Sequence, residues 1–254
     1  MNLKKYLLFC FLLLCQLICA QNDSINRLDE VEVSDRQLQN FSNTQTVTKL
    51  NDSVLRRNRP SLTALLNYNS TIYFKEYGPG MVSSPSFRGT SAQQTAVIWN
   101  GININSQFNG QTDFNTITAT DFDNIAIRAG GGSVLYGSSA IGGSIHLNSA
   151  LRFGKRFEND VRAEFGSFNT IGFNYKVTAG TEKFAVQASV SRNSSNNDFE
   201  LPSGRRNANG KFYNTSYNTV IGFRIDQKNS IKWFSYAFDG NRHFSLISPS
   251  DTKT

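Results

Sequence analysis

Ser133-Val-Leu-Tyr-Gly-Ser-Ser-Ala-Ile-Gly-Gly-Ser-Ile-His-Leu147 gathers small residues around one aromatic and then runs straight into an alternating apolar segment, Ile145 and Leu147. Glycines at 137, 142 and 143 permit positive φ and close backbone approach, so the stretch folds tightly against a neighbour before entering a strand. It is read together with Ser86-Phe-Arg-Gly89. Between the two lie an apolar strand, Thr95-Ala-Val-Ile-Trp99, and Asn100-Gly101, a strong hairpin turn into Ile102 and Ile104. Ile125-Ala-Ile127 reads as a further strand leading into Gly130-Gly-Gly132. Upstream, Val47–Leu50 reads as a short strand. Pro60–Leu66 reads as a helix start, with Ser61 as cap and Leu62, Leu65 and Leu66 at helical spacing. Residues 36–150 therefore read as one α/β unit.

This succession runs in the same order as the plug domain of TonB-dependent outer-membrane receptors, and the chain resembles that family strongly over residues 28–150 and loosely over 160–238. Within the family, the nearest look is to cobalamin and ferric-siderophore receptors. The resemblance places the plug motif on Arg88, Gly89, Gly101, Tyr136, Gly137, Ala140, Ile141, Gly142 and Gly143. Asn100-Gly101 stands where the family usually has Asp-Gly, and both suit the turn. The family usually has an acid near Ala126 and a basic residue near Ala129, which puts a plug–barrel ion network in doubt here.

The N-terminus fits an exported protein. Lys4 and Lys5 precede an almost wholly apolar run from Tyr6 to Ile18, and Ala20 offers a cleavage point, so residues 1–20 read as a signal peptide. Cys10, Cys15 and Cys19 all fall inside it, leaving the mature chain without cysteine and excluding disulfide and thiolate–metal frameworks. Formal charge falls from +7 to +5 once Lys4 and Lys5 are removed, and the excess is scattered, with no stripe suited to nucleic acid. Residues 21–35 form a periplasmic lead. Within it, Asp29, Glu30, Val31, Glu32, Val33 and Ser34 resemble the Ton box, the extended peptide with which the TonB energy-transducing complex pairs. Strand addition suits this segment: main-chain hydrogen bonds give affinity, and Val31 and Val33 project on one face.

From Val161 the rhythm changes to period two. Ile171, Phe173, Tyr175, Val177 and Ala179 alternate with Gly172, Asn174, Lys176 and Thr178, and similar alternations follow at 184–191 and 221–226. One greasy face and one polar face is the pattern of a barrel strand between lipid and lumen. After Ala20 no apolar run is long enough to cross a bilayer as a helix, so membrane entry would be by strands. Gly180–Lys183 and Asp226–Asn229 read as short periplasmic turns, and Asn193–Asn218 as a long outer loop.

The expected fold is an α+β plug domain followed by antiparallel transmembrane β-barrel strands, with 151–254 as the N-terminal part of the barrel. A plugged barrel needs about 22 strands. Residues 161–254 give room for about five, near 161–165, 170–179, 184–192, 218–226 and 230–238. An incomplete barrel, and hence an N-terminal fragment, is the expectation. The resemblance implies TonB-energised uptake of a scarce large ligand at the bacterial outer membrane, a small molecule of the cobalamin or iron-chelate class. The alternative is a non-transporting outer-membrane β protein, an adhesin or an inactive remnant. Ligand contacts are expected from the loops Tyr73–Ser86 and Ser106–Thr112. No enzyme, catalytic residue, cofactor or metal site is expected. His146 and His243 stand apart from any ligand cluster, and Asp121 and Asp123 read as caps of the turn into Ile125.

Overall fold

The computed structural model describes residues 38, 45–58, 60–76, 78, 80–201 and 204–244, all within the compact unit Glu32–Thr254. The segment 1–20 and the peptide Asp29–Ser34 lie outside the described residues. An α/β globule comes first, in the order β1 (Val47–Leu50), α1 (Asp52–Arg57), α2 (Leu62–Asn69), β2 (Ile72–Glu76), β3 (Ser83–Phe87), β4 (Thr95–Trp99), β5 (Ile102–Asn103), β6 (Asn124–Ala129), α3 (Ser133–Tyr136) and β7 (Gly143–Asn148). An antiparallel meander follows: β8 (Arg156–Gly166), β9 (Thr170–Gly180), β10 (Phe184–Ser195), β11 (Phe212–Arg224) and β12 (Ser230–Arg242). This is the expected α+β succession, and among the described residues the second sheet is open, with β8 and β12 at its edges.

The globule's sheet has the order β1-β6-β7-β4-β5. β4 runs parallel to β7 and β6 antiparallel to it, and every residue of β7 is buried. Its side chains divide between two cores. Ile145 and Leu147 join Leu62, Leu65, Leu66 and Val97 in the larger cluster. His146 meets Tyr136 edge-on at 4.7 Å on the other face, where Tyr136 packs with Ala96, Ile98 and Ala140. Burial of each large apolar side chain contributes about 1.5–3 kcal/mol, whereas a helix cap contributes about 1 kcal/mol, so the larger cluster carries the globule. The Ser61 hydroxyl still fixes where α2 begins, accepting from Ala64 N at 3.4 Å.

The two stretches that decide the fold meet here. A Cβ on Gly142 would collide with the Thr90 side chain, and one on Gly143 would lie 2.7 Å from the Arg128 carbonyl oxygen and 3.1 Å from the Phe87 ring. The Phe87–Thr90 turn thus lies directly on the two glycines. Arg88 and Gly89, at φ 53° and 82°, turn the chain there. Asn100 and Gly101, at φ 45° and 90°, form the left-handed two-residue turn that lets Trp99 pair with Ile102.

Several elements differ from the sequence expectation. Tyr73–Ser86 is a β-hairpin, with Phe74 paired to Pro85 and the tip between Glu76 and Ser83. α1 is a short helix capped by Asn51 Oδ1, which accepts from Val54 N at 3.2 Å. β8 starts at Arg156 rather than near 161, and β11 starts at Phe212 rather than near 218. The first half of β11 sets Tyr213, Thr215 and Tyr217 on one face and Asn214, Ser216 and Asn218 on the other. No aliphatic side chain announces a strand there.

Gly143→Ala should destabilise the protein by about 1–3 kcal/mol, because the colliding atom is a backbone carbonyl that cannot rotate away. Gly101→Ala meets open space and should cost only the backbone strain, about 1 kcal/mol. Thermal melting of the two variants beside the parent checks the difference; equal losses would contradict the close-approach account.

Candidate functional site between the globule and the sheet

The inner face of β9–β11 is short and polar. Asn174, Gln187, Ser189, Ser191, Ser216 and Asn218 are all buried, and most of them point at one segment of the globule. Asp121 ends a 3-10 turn, Ala119–Asp121, that pushes its side chain into the sheet. Ser191 Oγ donates to Asp121 Oδ1 at 2.5 Å, Ser189 Oγ approaches the same oxygen at 3.5 Å, and Ser216 Oγ donates to Oδ2 at 2.6 Å. Asn174 Nδ2 donates to Ser191 Oγ at 2.7 Å. That occupies a lone pair of the hydroxyl and leaves its one proton for Asp121. Asn218 Nδ2 reaches the Asp121 backbone oxygen at 2.7 Å.

Two residues on, Asp123 completes the contact by a different chemistry. Lys176 Nζ lies 3.3 Å from Oδ1, while Gln187 Nε2 and Ala150 N donate to Oδ2 at 2.8 and 2.6 Å. Towards the other end of the strands, Arg242 pairs with Asp113 at 2.7 Å, and Asn214 Nδ2 donates to the Asn115 carbonyl at 3.0 Å. An aromatic seam closes the β12 side: the Trp99 ring centroid lies 6.2 Å from that of Phe234, and Phe122 stacks on Tyr236 at 6.2 Å. The ion network that the departures near Ala126 and Ala129 put in doubt is therefore present, built from other residues. Asp121 and Asp123 face the sheet rather than serving only as turn caps.

Burial raises the Asp121 carboxyl above its ordinary range, against the opposing pull of the Ser191 and Ser216 hydrogen bonds. Among the described residues no cation pairs with it, and the charge of Lys176 offsets the burial only in part. Such a carboxyl weakens docking once ionised at pH above its raised pKa, and acidification through that pKa relieves the penalty.

The sequence-derived residues occupy three places. Tyr136, Ala140, Gly142 and Gly143 are buried in the packing of the globule; Arg88, Gly89, Gly101 and Gly137 sit exposed in turns, each at positive φ; and Ile141 is exposed. The hairpin 73–86 carries its tip to the sheet: a Cβ on Gly80 would strike the Phe212 ring, and Arg242 reaches the Gly80 carbonyl at 3.5 Å. The loop 106–112 leaves Phe108 fully exposed. What sequence reading missed is the docking set itself. Its signal was present in the polar face of the alternation, where Ser and Asn recur instead of long charged residues.

Asp121→Ala should lose about 2–4 kcal/mol, since the buried Ser191 and Ser216 hydroxyls would be left without their acceptor. Asp121→Asn keeps an acceptor for Ser191 and a donor for Ser216. It should match or exceed the parent at neutral pH and should not gain stability on acidification where the parent does. Thermal melting in detergent between about pH 7 and about pH 5 checks both; a parent and an Asn variant with parallel pH profiles would refute the assignment.

Residues 39–144 match the family model described as "TonB-dependent Receptor Plug Domain". The chain is 33% identical over 90 residues to a vitamin B12 transporter of Vibrio vulnificus, covering 35% of this chain and 14% of that protein. It is 40% identical over 75 residues to the vitamin B12 transporter of a Vibrio cholerae strain, covering 30% and 12%. Among solved structures, the copper transporter OprC superposes with a TM-score of 0.65 at 17% identity, over 78% of this chain and 31% of that one. The ferric yersiniabactin uptake receptor FyuA of Yersinia pestis gives 0.62 at 16%, over 78% and 32%. The chain thus spans about a third of the length of these receptors. Its relatives are transporters and receptors rather than enzymes. Through residues 39–144 the chain is similar to the plug domain of TonB-dependent receptors, and its fold, globule and docked antiparallel sheet together, is similar to that of the solved receptors.

Proposed function

We propose that this chain provides the plug and the first wall strands of an outer-membrane receptor that imports a scarce large ligand, of the cobalamin or ferric-siderophore class, with energy delivered by TonB. The observation that carries the reading is the polar docking centred on Asp121 and Asp123. A plug that must shift to let a ligand pass needs contacts that water can replace, and hydroxyl and amide hydrogen bonds contribute only about 0.5–1.5 kcal/mol each. The outward face of the sheet supports a lipid neighbour, with Phe157, Phe165, Phe173, Phe184, Phe223 and Trp233 all exposed.

The polarity of the strands supports an external ligand site. Short turns join β9 to β10 and β11 to β12, and the longer connection 196–211 joins β10 to β11 at the opposite end; outer-membrane barrels keep short turns in the periplasm and long loops outside. The tip of the β2–β3 hairpin lies against Phe212 and Arg242, at the long-connection end. That end suits the hairpin 73–86 and the loop 106–112 as ligand contacts. The vitamin B12 transporters among the relatives and the siderophore receptors among the similar structures support the ligand class.

Energy enters, in this reading, through Asp29–Ser34. Proline at Val31 removes a backbone donor and bends an extended strand, so Val31→Pro should abolish uptake of labelled cobalamin or ferric chelate while surface binding persists. Glu32→Ala should leave uptake within about twofold, because pairing by strand addition reads the main chain. Normal transport by Val31→Pro would refute the coupling role. Unchanged ligand affinity after exchange of both loops would refute the contact assignment.

A further inference from the structure

The outward face of β10 is apolar from Phe184 through Val186, Ala188 and Val190, and then Arg192 takes the next place on it. Eight residues of strand cover about 27 Å at ~3.4 Å per residue. Tilted as barrel strands are, that is about 20 Å of height, near the top of an apolar band of about 25 Å. The Arg192 guanidinium therefore lies where hydrocarbon gives way to lipid headgroups on the long-connection side. It is exposed, yet its posture is fixed. Its Cζ sits 4.7 Å from the centroid of the Tyr213 ring, and Nη1 donates to Thr215 Oγ1 at 2.8 Å. An arginine that merely snorkels needs no such bracing.

The surroundings add charge of the same sign. Lys211 is exposed, and its carbonyl accepts from His243 N at 2.9 Å, which carries the ladder one residue beyond β11 and sets Lys211 two positions before Tyr213. Asp239 is the acid on this face, opposite Thr215 in the pairing of β11 with β12. Among the described residues, no carboxylate is within ion-pair distance of Arg192.

We propose that Arg192, stacked on Tyr213 and seconded by Lys211, is a clamp for the phosphate of an outer-leaflet lipid. The stacked, planar guanidinium keeps N–H donors free on its outer edge, and two parallel N–H···O bonds match a phosphate as no ammonium group does. The hydroxyl of Thr215 holds the plane in place, so little side-chain freedom remains to be lost when the lipid arrives. The clamp rests on the reading of β8–β12 as lipid-facing wall strands, and the test separates the two.

The full chain, recovered from its native outer membrane in mild detergent, is compared by native mass spectrometry with Arg192→Ala, Arg192→Lys and Lys211→Ala. The parent should retain phosphate-bearing lipid; Arg192→Ala should retain at least about tenfold less, Lys211→Ala about threefold less. Arg192→Lys preserves charge and guards against a folding defect, and it too should fall severalfold, since it cannot present the fork. Millimolar inorganic phosphate should fail to displace the lipid. Lipid retention equal to the parent's by Arg192→Ala and Arg192→Lys in membrane-inserted protein overturns the clamp and leaves the wall reading standing, as does ready displacement by free phosphate. Recovery of the parent in the soluble fraction overturns both.

Discussion

Ser191 and Ser216 aim their hydroxyl protons at one buried carboxylate, Asp121, and the arrangement of both sheets follows from that meeting. For the two hydroxyls to converge, β10 and β11 must pair in the observed register, with Ser191 directly opposite Ser216. A slip of β11 by one residue against β10 would turn Ser216 to the outer side and bring a neighbour such as Tyr217 against the carboxylate. The 3-10 turn before β6 must also stand proud of the globule's sheet, which it does because Phe114, Ile117, Ala119 and Phe122 anchor it in the larger core. The docking contact thus couples the register of one sheet to the core packing of the other.

The chemistry of that contact is unusual for a buried interface of this extent. An apolar seam would hold the globule firmly and resist water; a set of buried ion pairs would bind through charges that are costly to expose singly. Here the centre is a carboxylate met by hydroxyls and amides, with the ion pairs Lys176–Asp123 and Arg242–Asp113 placed on either side of it and only partly buried. Each bond is replaceable by a water molecule as the surfaces separate. Specificity comes from the number and direction of the bonds, while the stabilisation of each one stays small. Such an interface can exchange its bonds with water one at a time.

Much of this was legible in the sequence because the decisive residues have local signatures. Gly142 and Gly143 announce close approach, and the close neighbours are Thr90 and Phe87, in and beside the Arg-Gly turn that the same reading singled out. Asn100-Gly101 specified its turn, and Ser61 its helix. The outward side of β9 and β10 was visible as a run of alternating aromatic and aliphatic residues. β11 was half hidden, since its outward side begins with Tyr213 and Thr215 and its inward side is amide and hydroxyl. Those inward residues acquire meaning only when Asp121 is opposite them, a contact between positions far apart in the chain. Asp113 and Arg242 were invisible for the same reason: neither carries a pattern until the fold brings them to 2.7 Å.

The central claim is that Asp121 holds the globule to the sheet through the serine hydroxyls of β10 and β11. A double-mutant cycle measures this most directly, combining Asp121→Ala with the pair Ser191→Ala and Ser216→Ala and following unfolding of the detergent-solubilised protein in urea. The account predicts strong coupling, about 1–3 kcal/mol, because once the carboxylate is gone the hydroxyls are a burden and their removal costs little. Additive losses, with the serine substitutions as damaging on top of Asp121→Ala as they are in the parent, would contradict it.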